Sequence, residues 1–183
     1  MKKLILAAVM AASAAAGTAH ADDALKAAIA GKHRAPANAA RDAARHPYET
    51  LTFFGIKPTM TVVELSPGGG WYTEILAPYL RDKGKLIGAG ESPESAKPGA
   101  RRYAENFTRK LASDQAVYGK VQRGLFEPPT SYNIAPANSV DMVLTFRNLH
   151  NWTAAGDDKV KEIFTKVHET LKPGGVFGFV DHR

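Results

Sequence analysis

Two alternating rhythms of hydrophobic and polar positions run along this chain. Thr61-Val62-Val63-Glu64-Leu65 is a short β-branched run bounded by Pro58 and by Ser66-Pro67-Gly68-Gly69-Gly70, which predicts a buried strand meeting a glycine turn. A helix over 71–81 follows, closed by Asp82-Lys83-Gly84. The alternation then repeats: 85–89 reads as a second strand, 95–116 as mostly helical around Tyr103, Phe107 and Leu111, and 119–125 as a weaker third strand. VDMVLTF, Val140–Phe146, predicts a fourth strand. The stretch 157–171 sets Val160, Ile163, Phe164 and Val167 on one helical face and stops at Lys172-Pro173-Gly174-Gly175, after which 176–180 reads as a fifth strand.

Upstream the rhythm is weaker. Residues 22–46 are Ala-rich and polar, divided by Pro36 into two short helical stretches and lacking the apolar content of a core. A helix is expected over 38–54, closed by Gly55 and Lys57-Pro58. The organisation read from these patterns is a leader at 1–21, an N-terminal helical segment at 22–55 and an α/β domain at 56–183. Strands alternating with helices imply a doubly wound sheet of about five parallel strands with helices on both faces. Its ligand is expected at the carboxyl ends of the strands, near the switch in strand order.

The leader has Lys2 and Lys3, an apolar stretch from Leu4 to about Ala16, and Ala19-His20-Ala21, a small-x-small cleavage pattern. The apolar run is shorter than the roughly 20 residues that span a bilayer, so a cleaved secretory signal is expected, with no stable membrane insertion and a mature start at Asp22. The n-region and Ala-rich core look bacterial, which places the expected product in the periplasm. Of the 183 residues, 44% are hydrophobic and none is Cys, which excludes a disulfide scaffold and a thiolate metal centre. The net charge of +6 is scattered and falls by two when the leader lysines are lost, so no nucleic-acid partner is expected. The basic positions Arg101, Arg102, Arg109 and Lys110 read as a solvated helix face, and Trp71, Tyr72, Tyr79 and Trp152 as core or crevice wall.

The turn after the first strand is the natural place for chemistry, because three glycines before a helix let backbone approach a ligand closely. A dinucleotide fingerprint counted from Gly68 passes through Gly70 but fails at Thr73, and no P-loop run is present. A tight strand-to-helix turn without a ligand stays open on this evidence alone.

Three segments in order, ELSPGGGWYTEIL, VDMVLTFRNLHNW and LKPGGVFGFVDHR, resemble class I S-adenosylmethionine-dependent methyltransferases, and particularly a group of exported bacterial predicted methyltransferases. The resemblance covers about 45–183 and implies a Rossmann-like fold. The family's acid-x-Gly-x-Gly-x-Gly motif falls on Glu64, Ser66, Gly68 and Gly70, with Ser in place of the first glycine. It implies that the loop cradles the methionine part of S-adenosylmethionine with Glu64 near its ammonium group. The family's ribose-binding acid corresponds to Glu91, one position late, or to nothing; a solvated loop glutamate is the other reading. Near the adenine, Leu125 and Phe126 stand where the family often has an acid.

Arg147, Asn148, His150, Asn151 and Trp152 follow the fourth strand, and Asp181 and His182 end the fifth. Asn148 is counted with the cofactor contacts. His150 or His182 is the candidate base for the acceptor nucleophile; the other reading packs His150 under its loop and leaves His182 near a frayed terminus. Two histidines beside Asp181 lack a third spaced ligand, so no metal is assigned. The implied function is methyl transfer to an unidentified small molecule. Its rivals are a non-catalytic periplasmic protein binding a nucleoside-like ligand in the same crevice, and a nicotinamide-dependent reductase, which Thr73 disfavours. Related enzymes continue past the fifth strand into a helix and two further strands, so the chain is expected to be a truncated form with little activity. Strand five then becomes an edge that self-associates through its uncharged Val176–Val180 run.

Overall fold

The computed structural model describes residues 23–182. The leader expectation falls on 1–22 and lies outside the described residues. Five strands form one all-parallel sheet: β1 (Thr61–Leu65), β2 (Lys85–Gly90), β3 (Gln122–Leu125), β4 (Val140–Phe146) and β5 (Leu171–Val180). Their order is β3-β2-β1-β4-β5. The chain runs outward from β1 to β3 and then returns to lay β4 against the other side of β1. The switch in strand order, where such sheets bind ligands, therefore lies between β1 and β4.

The period-two pattern of β1 sorts its side chains between two cores. Val62 joins Leu86, Met142 and Leu144 on one face, whereas Val63 and Leu65 join Ile87, Ala89 and Val143 on the other. The first face is covered by α1 (residues 23–29) and by two helices farther along, α4 (Pro47–Phe53) and α5 (Thr73–Leu80). The second is covered by α9 (Asp157–Thr170), which buries Ile163 and Val167. Two short helices, α2 (Pro36–Ala39) and α3 (Asp42–Arg45), follow α1 in the chain and pack against Trp71 and the start of α5, and on the sheet's β3 side lie α6 (Pro98–Ala112) and α7 (Gln115–Tyr118).

Three expectations are corrected. The helix expected over 38–54 is broken into α2, α3 and α4. His46 sits in the left-handed region with φ 45° immediately before Pro47, whose ring disfavours a right-handed helical residue there. The N-terminal segment is not core-poor: Leu25 and Ala28 are buried and pack in the same core as Leu51 and Leu76. Strand five starts at Leu171 rather than 176. Its register slips between the pairs Val140–Leu171 and Met142–Val176, so Lys172-Pro173-Gly174-Gly175 forms a bulge inside the strand rather than a turn before it.

A polar network ties the N-terminal segment to the sheet's helices. Arg34 is buried and donates to Asp42 through both terminal nitrogens, at 2.5 and 2.8 Å, and to the Ile29 carbonyl at 2.8 Å. Its Nε faces the fully buried Glu74 Oε2 at 3.7 Å, too far for a hydrogen bond, and both atoms lack one. Glu74 Oε1 takes a salt bridge from Lys110 and a bond from Asn38 Nδ2 at 2.9 Å, so it joins α2, α5 and α6. Lys110 is thus not part of a purely solvated face. Among the described residues no helix is long and apolar enough to cross a membrane.

Candidate functional site

The loop after β1 turns sharply, with three left-handed residues in five: Ser66 at φ 50°, Gly68 at 56° and Gly70 at 76°. Ser66 therefore keeps the backbone shape that a glycine would adopt more easily at this position. Its N–H donates to the Ala89 carbonyl at 2.8 Å, locking the loop to β2. A Cβ added at Gly68 or Gly69 would meet nothing within 4 Å, so the outer face of the turn is open backbone. Gly70 has a different role. A Cβ there would reach the Lys110 stem at 3.2 Å and Thr73 at 3.5 Å, so this glycine serves its own φ and the packing beneath the loop.

Glu64 points from β1 under the start of α5. It is almost fully buried and accepts a hydrogen bond from the Thr73 hydroxyl at 2.6 Å. Burial pushes its carboxyl up to about 8, only partly opposed by that bond. The residue that broke the dinucleotide fingerprint is thus the hydrogen-bond donor to the acid of the motif.

The carboxyl ends of the strands open onto a crevice of about 660 Å³, within the range of small-molecule sites. Ser66, Glu91, Tyr103, Phe126, Glu127 and Trp152 are among its walls. Phe126 and Trp152 meet edge to face with centroids 5.5 Å apart. Glu91, the first residue past β2, is half-buried; burial raises its carboxyl above the usual range, its own backbone N–H opposes this and the Glu127 charge adds to it. Glu127 escaped the sequence reading, although an acid directly after the third strand was the signal. Its side chain turns inward, accepting from Ser92 N at 3.1 Å and from the Ser95 hydroxyl, and so holds the 92–95 loop against the crevice. Asn148 is engaged within the protein: its Nδ2 lies 2.9 Å from Thr145 Oγ1 and 3.4 Å from the Ser66 carbonyl, pinning the loop after β4 to the loop after β1.

A second cavity of about 310 Å³ lies beside the ends of β4 and β5, lined by Arg45, Tyr72, Phe146, Arg147, Asp181 and His182 among others. Tyr72 stacks on Phe146 with centroids 3.4 Å apart. The two candidate bases come together here. His150, on the short helix α8 (Leu149–Thr153) that the sequence reading missed, sets its Nδ1 2.9 Å from Asp181 Oδ1, and His182 Nδ1 lies 3.1 Å from the same oxygen. Burial alone would raise the Asp181 carboxyl, but hydrogen bonds from the His150 N–H and ring and from the His182 N–H together hold it below the ordinary range. An imidazole anchored through Nδ1 by a carboxylate presents Nε2 as the nitrogen that accepts a proton. Asn151 and Trp152, which follow His150, line the larger crevice, and His182 lines the second cavity.

The crevice thus joins an apolar wall at Phe126 and Trp152 to the half-buried carboxyl of Glu91. Glu64 contributes no wall, since its carboxyl is buried beneath the loop against Thr73.

No protein-family model matches the sequence, and no curated protein does. Solved structures match the fold. An S-adenosylmethionine-dependent methyltransferase from Aquifex aeolicus superposes on 74% of this chain with a TM-score of 0.52 at 22% identity. An arsenic(III) S-adenosylmethionine methyltransferase from Chlamydomonas reinhardtii covers 86% with 0.52 at 18%. A precorrin-6y C5,15-methyltransferase from Geobacter metallireducens covers 74% with 0.51 at 17%. The chain spans 63%, 48% and 61% of those three structures respectively. The five-stranded parallel sheet with its helices is therefore the Rossmann-like methyltransferase fold.

Proposed function

We propose that the chain binds S-adenosylmethionine in the 660 Å³ crevice and transfers its methyl group to a small-molecule acceptor in the neighbouring cavity. The observation that carries this reading is the convergence of Ser66, from the glycine turn after β1, and the desolvated Glu91, from the end of β2, on one crevice at the carboxyl ends of the strands. The fold likeness to methyltransferases adds support, as does the match of ELSPGGGWYTEIL to their first motif.

In this reading Glu91 accepts from the ribose hydroxyls, and Phe126 and Trp152 flank the adenine. When bound, the cofactor supplies an electrophilic methyl on a sulfonium. The chain's own part is to hold the acceptor, exclude water and take a proton. Arg45 and Arg147 orient an acceptor against the Tyr72–Phe146 stack, and His150, steadied by Asp181, takes the proton at Nε2. Asn148 keeps the two loops in register.

The exported bacterial methyltransferase group and a periplasmic setting remain part of the proposal. They rest on the leader pattern at 1–21 and on the three motif segments. Self-association through β5 also belongs to it, supported by an edge strand with Phe179 and Val180 substantially exposed. Thermal melts with S-adenosylhomocysteine and with NAD test the reading. The first ligand is expected to raise the melting temperature and the second to leave it unchanged; the reverse pattern rejects methyl transfer in favour of a nicotinamide site.

A further inference from the structure

We propose that His150, Asp181 and His182 form a binding site for a divalent first-row transition-metal ion. One ligand atom from each lies within 4.8 Å of the other two. Both imidazoles already converge on a single carboxylate oxygen, and their rings are 4.6 Å apart. The cluster is assembled by the fold: His150 and Asp181 are 31 residues apart and meet because β4 and β5 pair in parallel and end together. The carboxylate is fixed from three sides, by the His150 and His182 backbone N–H groups at 3.0 and 2.8 Å and by the His150 ring. One ligand is therefore preorganised, while the histidines, exposed by 41% and 54%, can swing onto an ion.

Two imidazoles and one carboxylate suit Zn²⁺ or Fe²⁺, whereas Mg²⁺ and Ca²⁺ prefer all-oxygen sets. Three protein ligands leave coordination positions open. Because Asp181 and His182 also line the 310 Å³ cavity, those positions face a space flanked by Arg45 and Arg147, and an oxygen-anion co-ligand completes the charge balance there. The inference stands apart from cofactor binding, since the ligand set is complete without any cofactor, and an ion held by His150 replaces that residue's role as proton acceptor.

The test is calorimetric titration of the full chain with Zn²⁺, together with visible absorption on adding Co²⁺. One ion per chain is expected, with Co²⁺ bands typical of nitrogen and oxygen ligation. Asp181→Asn and His150→Gln should each weaken Zn²⁺ binding at least about tenfold, while His168→Gln, at an exposed position outside the cluster, leaves it unchanged. Circular dichroism confirms that each variant is folded, and the surface exposure of His150 makes its variant the safer of the two. Absence of Zn²⁺ binding by the parent, or equal affinity in parent, Asp181→Asn and His150→Gln, overturns the site.

Discussion

The Thr73 hydroxyl donates to the Glu64 carboxylate at 2.6 Å, and both residues are buried between β1 and α5. One hydrogen bond does not offset the loss of water around the acid, so its folded-state pKa sits at about 8 against 4.5 for the free side chain. The folded protein therefore holds a proton between those values that the unfolded chain has released. This contribution to stability is complete below about 4.5 and is lost as pH rises through about 8, at a cost of up to about 5 kcal/mol. Chemical denaturation from pH 5 to 9 should show stability falling in the parent, and Glu64→Gln should flatten that slope.

Ser66 holds φ 50°, where a side chain costs roughly 1 kcal/mol relative to glycine. Ser66→Gly is expected to raise the melting temperature by about 2–4 °C. Calorimetric melts check this, and a lower melting temperature would mean that the hydroxyl stabilises the loop by more than its backbone strain costs.

Glu74 is the hub between Arg34, Asn38 and Lys110, with no exposed surface of its own. Glu74→Ala would leave Asp42 as the one charged partner of the buried Arg34 guanidinium among the described residues and should cost about 3–5 kcal/mol. Lys172→Ala removes the exposed pair with Asp141 and should cost less than about 1 kcal/mol. Urea denaturation of the two variants side by side measures the contrast.

The legibility of the fold followed local bounding. Thr61–Leu65 and Val140–Phe146 were readable residue for residue, because β-branched runs end abruptly at Ser66-Pro67 and at Arg147-Asn148. The break at His46 was less visible, since the alanines before it favour helix and only Pro47 argues against it. Ser66 and Glu91 could be placed at the crevice from the strand–turn–helix pattern. The inward turn of Glu127 could not, because it depends on the loop carrying Ser92 and Ser95, 30-odd positions earlier in the chain. Glu64 was legible as the motif's acid, but its partner Thr73 entered the reading only as a failed glycine.

Strand β5 closes one side of the sheet with Phe179 44% and Val180 39% exposed, beside Phe53 at 85%. The Lys172-Pro173 bulge blunts the first half of this edge, so the proposed self-association rests on the uncharged Val176–Val180 half. Light scattering across a dilution series should show concentration-dependent association in the parent, abolished by Phe179→Lys. A monomer at every concentration would remove self-association from the account.

The central claim, a cofactor crevice walled by Glu91, is tested most directly by calorimetric titration of S-adenosylmethionine into the full chain and its Glu91→Ala variant. Saturable binding to the parent is predicted, weakened about tenfold in the variant, or roughly 1.4 kcal/mol, through loss of the carboxylate that accepts from the ribose. No binding to the parent, or equal affinity in the two proteins, would contradict the account.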